Sequence, residues 1–535
     1  MKRNVLSRRQ FLGRMGTLGG LGAAYYGMAN FGLLPLVQAY TGPPRFDRQS
    51  GKGQHIVILG AGIGGLCAAY LLRKTNFKIT IIEPNPYIGG RCLTLRRGDP
   101  VNEHGTDRRG RPFRMQYCEF DEGPDFYFNA GPGRIPQSHT AILRYCKELK
   151  VRLQPYIFAC RSNLLQDEDF NQGKPVRLRW IKHDLRGHIA ELLSHAAGSE
   201  AVNHAIAPGR RQALLRMLRH YGSLKESEHS FKYLGTSRGG YREKPGAGLR
   251  PGVLRRPFDL NELLDSEIWQ TGLFSDMYLY WQTSLMQAEG GMDHIGKAFR
   301  DRLGPQTQVV LNAKATNISQ TADKMIIKHT KSDTPIKADY CISTMAPPLL
   351  HRLLDGSFQP SFKAALAKIY MVPACKVGWQ AKSRFWEEEN EIYGGISWTR
   401  HAIKQLWYPS HGFHSSKGIL TGAYNYGAVA NKFGLMSHAD RLAVALEGGE
   451  KLHPDLFERN VDKGISLAWQ NMPNQSGGWA YYKDQAHNPA YLSINQPQGR
   501  LVLAGDYLSF LSGWMEGAVR SAELAVNRIT QMAAA

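Results

Sequence analysis

The strongest hydrophobic pattern in the chain is His55-Ile56-Val57-Ile58-Leu59, a continuous apolar run that predicts a strand buried on both faces. Gly60-Ala61-Gly62-Ile63-Gly64-Gly65 follows at once, and Leu66-Cys67-Ala68-Ala69-Tyr70-Leu71-Leu72 then reads as a buried helix. A second run, Lys78-Ile79-Thr80-Ile81-Ile82, predicts another strand and ends in Glu83, 18 positions past Gly65. Far downstream, Gly499-Arg500-Leu501-Val502-Leu503-Ala504-Gly505-Asp506 reads as turn, buried strand and acid. A helix with the small residues Ser521, Ala522 and Ala525 on one face comes after it. Between about 155 and 275 the period changes: residues 185–193 and 210–218 predict helices, with a Gly- and Arg-rich loop over 235–252. Residues 13–36 are only weakly apolar, and seven glycines plus Arg14 and Asn30 make them a poor membrane span.

A chain of 535 residues is long enough for more than one core, and 42% hydrophobic with 10% aromatic content excludes disorder and fibrous classes. The seven cysteines form no CxxC pair, so neither a disulfide framework nor a cysteine metal site is expected. Ser7-Arg8-Arg9-Gln10-Phe11-Leu12, the weakly apolar stretch and Val37-Gln38-Ala39 together resemble a twin-arginine (Tat) export signal cleaved after Ala39. Export by that route implies a periplasmic or secreted protein, folded with its cofactor before export, and no stable membrane anchor after cleavage. Removing five cations and no acid with residues 1–39 lowers the formal charge from +22 to +17, so most of the positive charge belongs to the mature protein. No nucleic-acid motif accompanies the arginine clusters at 108–114 and 210–219, and a solvated basic face is the expected reading.

The segment from His55 to Glu83 is a full βαβ dinucleotide fingerprint. Gly60 suits the tight turn, Gly62 lets backbone approach a pyrophosphate, and Gly65 allows helix and sheet to touch. Ile63 and Gly64 open a helix whose N-terminus favours negative charge, while Glu83 is suited to accept ribose hydroxyls.

Pro84-Asn85-Pro86-Tyr87-Ile88-Gly89-Gly90-Arg91 resembles the GG-R element of the flavin amine oxidase family, which implies FAD. By that resemblance Pro84, Gly90 and Arg91 lie along the cofactor, a backbone group at Ala315 meets the adenine, and Asp506 stands where the family usually has Glu. Gly513, Trp514, Met515, Glu516, Gly517 and Ala518 form the final cofactor segment. The implied fold is α/β: a discontinuous Rossmann-like FAD domain (40–115, 290–345 and 480–535), a mixed-sheet substrate domain (116–154 and 346–479) and an inserted, mainly helical domain (155–289).

Asn129-Ala130-Gly131-Pro132-Gly133-Arg134-Ile135-Pro136 resembles the GPMR-x-P element of the L-amino acid oxidase branch, with Gly133 in place of the usual Met. In that branch Gly131, Pro132, Gly133 and Arg134 also touch flavin, and Arg134 is expected to clamp the substrate carboxylate, a planar guanidinium being suited to two charge-assisted bonds. Tyr424 is expected to donate to the same carboxylate, and Lys376 to orient a water at the flavin nitrogen that accepts hydride. Trp469 and Trp479 keep the family's ten-residue spacing. Trp479 replaces the cysteine that carries covalent flavin in monoamine oxidases, so non-covalent FAD is expected. Trp514 is expected to wall the substrate passage, with the Gly513 carbonyl receiving the amine. No metal site is expected.

These readings imply oxidation of L-amino acids with O2 to 2-oxo acids, ammonia and hydrogen peroxide. A primary amine oxidase, an amino acid monooxygenase, and a non-catalytic FAD-binding redox or polyanion-binding protein remain alternatives, and a homodimer stays open. His220 and His229 fall in no specific motif, so no general base is assigned.

Overall fold

The computed structural model describes residues 49–534 apart from 198–205, 208, 228 and 229; the expected export signal and His229 lie outside the described residues. The apolar runs at the two ends of the chain meet in one five-stranded sheet. Its order is Thr307–Val310, Lys78–Ile82, His55–Leu59, Tyr340–Ser343 and Leu501–Leu503, parallel throughout. Such strands are covered on both faces, which is why they read as continuous apolar runs rather than alternating ones. The helix Ile63–Leu72 is buried along its whole length. It packs against the C-terminal helix Met515–Ala534, whose Val519, Ala522, Ala525 and Val526 join the same core.

A second sheet of seven strands carries the other half of the site. Its order is Val461–Ala468, Ala374–Ala381, Gly418–Tyr426, Gln405–Tyr408, Gly395–Thr399, Leu164–Gln166 and Val176–Arg177. Pairing is antiparallel except between Gly395–Thr399 and Leu164–Gln166. The strand Ala374–Ala381 is buried at every position. Its register sets Lys376 opposite Tyr424 on one side and Leu467 on the other. Directly opposed residues share a face of a sheet, so Lys376 and Tyr424 are brought together by pairing alone.

Residues 155–289 contribute the two short strands to that sheet before the helices Leu178–Ala196, Arg211–Gly222 and Leu260–Ser266 begin. Both periods seen at 185–193 and 210–218 fall on these helices, and the Gly- and Arg-rich loop carries a small hairpin of Tyr241–Glu243 with Val253–Leu254. Leu164–Gln166 and Val176–Arg177 are too short to show a period in the sequence; Leu164, Leu165 and Val176 are nevertheless buried. All seven cysteines are free thiols, and six of them are buried.

One fully buried ion pair fixes the strand that leads into the site. Arg441 engages both oxygens of Glu103, and each side chain is 0% exposed. Glu103 also accepts from the Ala468 amide at 2.8 Å and from the Asn471 side chain at 3.0 Å, bracketing Trp469. Removing one partner of such a pair leaves an uncompensated buried charge. We therefore expect Arg441→Met to cost about 3–5 kcal/mol, with part of it recovered in the Glu103→Gln/Arg441→Met double variant, as read by thermal and denaturant unfolding.

Candidate active site

The central strand His55–Leu59 has Lys78–Ile82 on one side and Tyr340–Ser343 on the other, so the strand order is built outward in opposite directions from it. Ligands of open parallel sheets bind beyond the strand ends at such a switch point. A cavity of about 360 Å³ opens there and runs on to the face of the seven-stranded sheet. At its floor Gly65 meets the carbonyl of Gly60 with no room for a Cβ, which holds the helix start against the turn. Glu83 accepts from the Ala61 amide at 2.7 Å and from the Asn85 amide at 3.0 Å. Its burial raises the carboxyl pKa against those hydrogen bonds.

Arg91 reaches across the cavity to the C-terminal segment. It donates to the Gly478 carbonyl at 2.6 Å and pairs with Asp506, whose other contact is the Gly513 amide at 2.8 Å. The backbone carbonyl of Arg91 lies where a Cβ on Gly131 would stand, so the GG-R turn and the Gly131–Arg134 loop are pressed together and only glycine fits.

Lys376 is 3% exposed and donates to the carbonyls of Asn129, at 3.0 Å, and Gly131, at 2.6 Å. Burial, and then the neighbouring Arg134 cation, hold its ammonium well below the usual lysine range. The ring of Trp407 lies 4.5 Å from the Lys376 nitrogen and 4.6 Å from the Arg134 guanidinium, so both cations pack on one indole. Phe158 and Tyr156 flank the guanidinium at 5.0 and 5.9 Å. Among the described residues no carboxylate pairs with Arg134, and its Nε is buried without a partner. Tyr424, packed edge-on to Trp407, has its phenol pushed up to about 12 by burial, against the effect of Arg134, and so stays a donor.

Most sequence-predicted residues come together at this cavity. Gly60, Gly62, Ile63, Gly64, Glu83, Pro84, Gly90, Arg91, Gly131, Pro132, Ala315 and Asp506 line it, as do Lys376, Tyr424, Trp469, Trp479, Gly513, Trp514, Met515 and Ala518. Five others are not in the wall. Gly65 lies beneath the turn, Gly133 lines a smaller cavity behind Trp407, and Arg134 stands among its aromatic rings. Glu516 turns away to accept from the amides of Ala141 and Ile142 and from Arg520, capping the helix Thr140–Glu148. Gly517 packs against Ser509 and Leu511. His220 is exposed on the helix Arg211–Gly222. The sequence reading missed Thr344, Arg352, Asn474 and Gln475 in the wall. Thr344 directly follows a parallel strand, a position that points to ligand contact; the other three carry no such signal.

The wall fits a flavin dinucleotide: a glycine turn at a helix start, a buried acid at the end of the second strand, and the start of the long Met515–Ala534 helix opposite. Its class is that of a dinucleotide-binding oxidoreductase with a second, mixed sheet beside the cavity. Residues 63–530 match the model of the flavin containing amine oxidoreductase family. An L-amino-acid oxidase of Siganus canaliculatus is 27% identical over 497 residues, covering 89% of this chain and 85% of that protein. One from Mus musculus is 25% identical over 512 residues, covering 90% and 71%. In fold, the chain resembles cyclohexylamine oxidase from Brevibacterium oxydans IH-35A, with TM-score 0.58, 18% identity and coverage of 90% and 99%. Putrescine oxidase bound to putrescine gives 0.54, 16% identity and coverage of 90% and 98%. The chain belongs to the flavin containing amine oxidoreductase family, and its cofactor is FAD.

Asp506 holds both Arg91 and the Gly513 amide in the cavity wall. Asp506→Ala is expected to lower FAD affinity by about 10- to 100-fold, the loss of one charge-assisted hydrogen bond network. Visible absorbance per mole of purified protein, before and after added FAD, measures it.

Proposed function

We propose that this chain is an exported L-amino-acid oxidase, converting L-amino acids and O2 to 2-oxo acids, ammonia and hydrogen peroxide. The observation that carries the reading is Arg134: a guanidinium among three aromatic rings, with no carboxylate partner among the described residues. A substrate carboxylate would supply the counter-ion that this half-buried guanidinium lacks, and a simple amine has none to offer. The relatives named L-amino-acid oxidases support the same substrate class, whereas the structural neighbours named for cyclohexylamine and putrescine share only the fold.

Bound FAD supplies the hydride acceptor and, afterwards, the electrons for oxygen. Gly60, Gly62, Glu83, Gly90, Arg91, Ala315 and Asp506 are the residues proposed to hold it, with the start of the Met515–Ala534 helix adding favourable potential for negative charge. Arg134 and Tyr424 fix the substrate carboxylate from two sides, and Trp479 and Trp514 wall its side chain. This positioning turns transfer of the Cα hydrogen into a unimolecular step and excludes water from it. Lys376 spends two of its donor directions on the Asn129 and Gly131 carbonyls and keeps the remainder for a water in the cavity. The imino acid product hydrolyses in solution to the 2-oxo acid and ammonia.

Non-covalent FAD is part of the proposal. Trp479 offers no nucleophile, and the cysteine in the wall, Cys92, turns its thiol to the Met292 carbonyl at 3.2 Å. Export through the twin-arginine element at Arg8 and Arg9 is proposed from the sequence alone.

Arg134→Lys keeps the charge and loses the planar fork. We expect kcat/KM for L-amino acids to fall by about 100-fold or more, and that for the matching decarboxylated amines to change little. An equal loss on both substrate types, measured by peroxide release, contradicts the clamp. Acid-denatured protein should release its flavin to the supernatant, and lysines at positions 8 and 9 should leave active precursor inside the cell.

A further inference from the structure

We propose that the outer face of the helical segment is a docking surface for an anionic lipid bilayer. The helices Leu178–Ala196 and Arg211–Gly222 pack side by side, with the Arg186 guanidinium 4.5 Å over the Tyr221 ring. Residues three and four apart share a helix face, so that contact aligns Arg186, Ile189 and Leu193 with Tyr221 and Met217. These apolar side chains are not covered: Ile189 is 51% exposed, Leu193 37% and Met217 56%, and Leu192, three positions past Ile189, is 55% exposed beside them. Single exposed apolar residues are ordinary on a protein surface, whereas a contiguous group marks a contact site.

The segment that carries this face is strongly cationic. Residues 207–256 hold twelve Lys and Arg against three Asp and Glu, a surplus of nine out of the whole chain's +22. Arg219 pairs with Glu226, but Arg210, Arg211, Arg216 and Lys232 have no ion pair among the described residues. The platform beneath is firmly tied. Tyr233 packs against Gly187 and donates to the buried Asp184 at 2.8 Å, and Asp184 also accepts from Arg255 and from the Phe258 amide. Little ordering is needed on docking.

Charge and apolar exposure together select the partner. A second copy of this chain brings like charge to like, and a nucleic acid answers the cations but not Ile189, Leu192 and Met217. An anionic bilayer answers both, with headgroups on the arginines and the apolar ridge at the acyl boundary. The contact is peripheral, since no helix among the described residues is long and apolar enough to cross a membrane.

The test is co-sedimentation of the FAD-bound full-length protein with vesicles of phosphatidylcholine alone and of phosphatidylcholine with about a third phosphatidylglycerol. Two double variants, Arg211→Glu/Arg216→Glu and Leu192→Ser/Met217→Ser, carry the same residues 1–39, so any difference from the parent reports this face. Flavin content and oxidase turnover, unchanged in both, show that folding is intact. Capture by the anionic vesicles only, lowered about tenfold or more by the charge reversal and clearly lowered by the serine pair, is the expected result. Equal capture by both vesicle types, no capture by either, or capture unchanged in the charge reversal overturns the proposal. Capture lowered by the charge reversal but untouched by the serine pair also overturns it, and marks a general polyanion surface instead.

Discussion

A lysine nitrogen buried without a counter-ion among the described residues ties the two halves of this protein together. Lys376 rises from the second strand of the seven-stranded sheet and donates to the carbonyls of Asn129 and Gly131. That loop is pressed by Gly131 onto the backbone of Arg91, and Arg91 in turn pairs with Asp506 from the far end of the chain. The seven-stranded sheet, the loop that presents Arg134 and both ends of the dinucleotide fold therefore share one continuous set of contacts. Burying an amine in this way depresses its affinity for a proton, and two carbonyl acceptors offset only part of the desolvation.

The electrostatic consequence is a surplus of positive potential at and behind the cavity wall. Arg91 is matched by Asp506, but Arg134 and Lys376 both pack on Trp407 with no acid paired to either among the described residues. Two cations held so near one another repel, and folding tolerates that only because aromatic rings and carbonyls surround them. An anionic group on the substrate relieves the repulsion. The same wall explains why Tyr424 is useful as a donor: its phenol stays protonated throughout the physiological range.

How much of this could be read from residues alone depended on whether the signal was local. The βαβ unit was legible because a buried parallel strand, a glycine turn and a terminal acid all fall within one short stretch, and each leaves its own pattern. Lys376 and Tyr424 were found through resemblance, and the strand register then accounts for their proximity, which no periodicity encodes. Arg91's tie to Asp506 spans 415 positions and was not visible in advance. Glu516 shows the opposite failure: it sits in a segment that does line the cavity, yet its carboxylate serves the amides of Ala141 and Ile142, a direction set by packing rather than by neighbours in sequence. The short strands at 164–166 and 176–177 hid within a stretch otherwise dominated by helical periods, because two or three residues are too few to show a period of two.

The central claim is that a carboxylate-bearing amine is the natural occupant of the space between Arg134, Tyr424 and the flavin. Anaerobic bleaching of the flavin absorbance tests it most directly, because it isolates reduction by substrate from everything that follows. Mixed without oxygen, L-amino acids should bleach the flavin in a single turnover, while their D-enantiomers and the corresponding decarboxylated amines leave it oxidised. Bleaching by the amines at a rate equal to or above that of the amino acids would contradict the account.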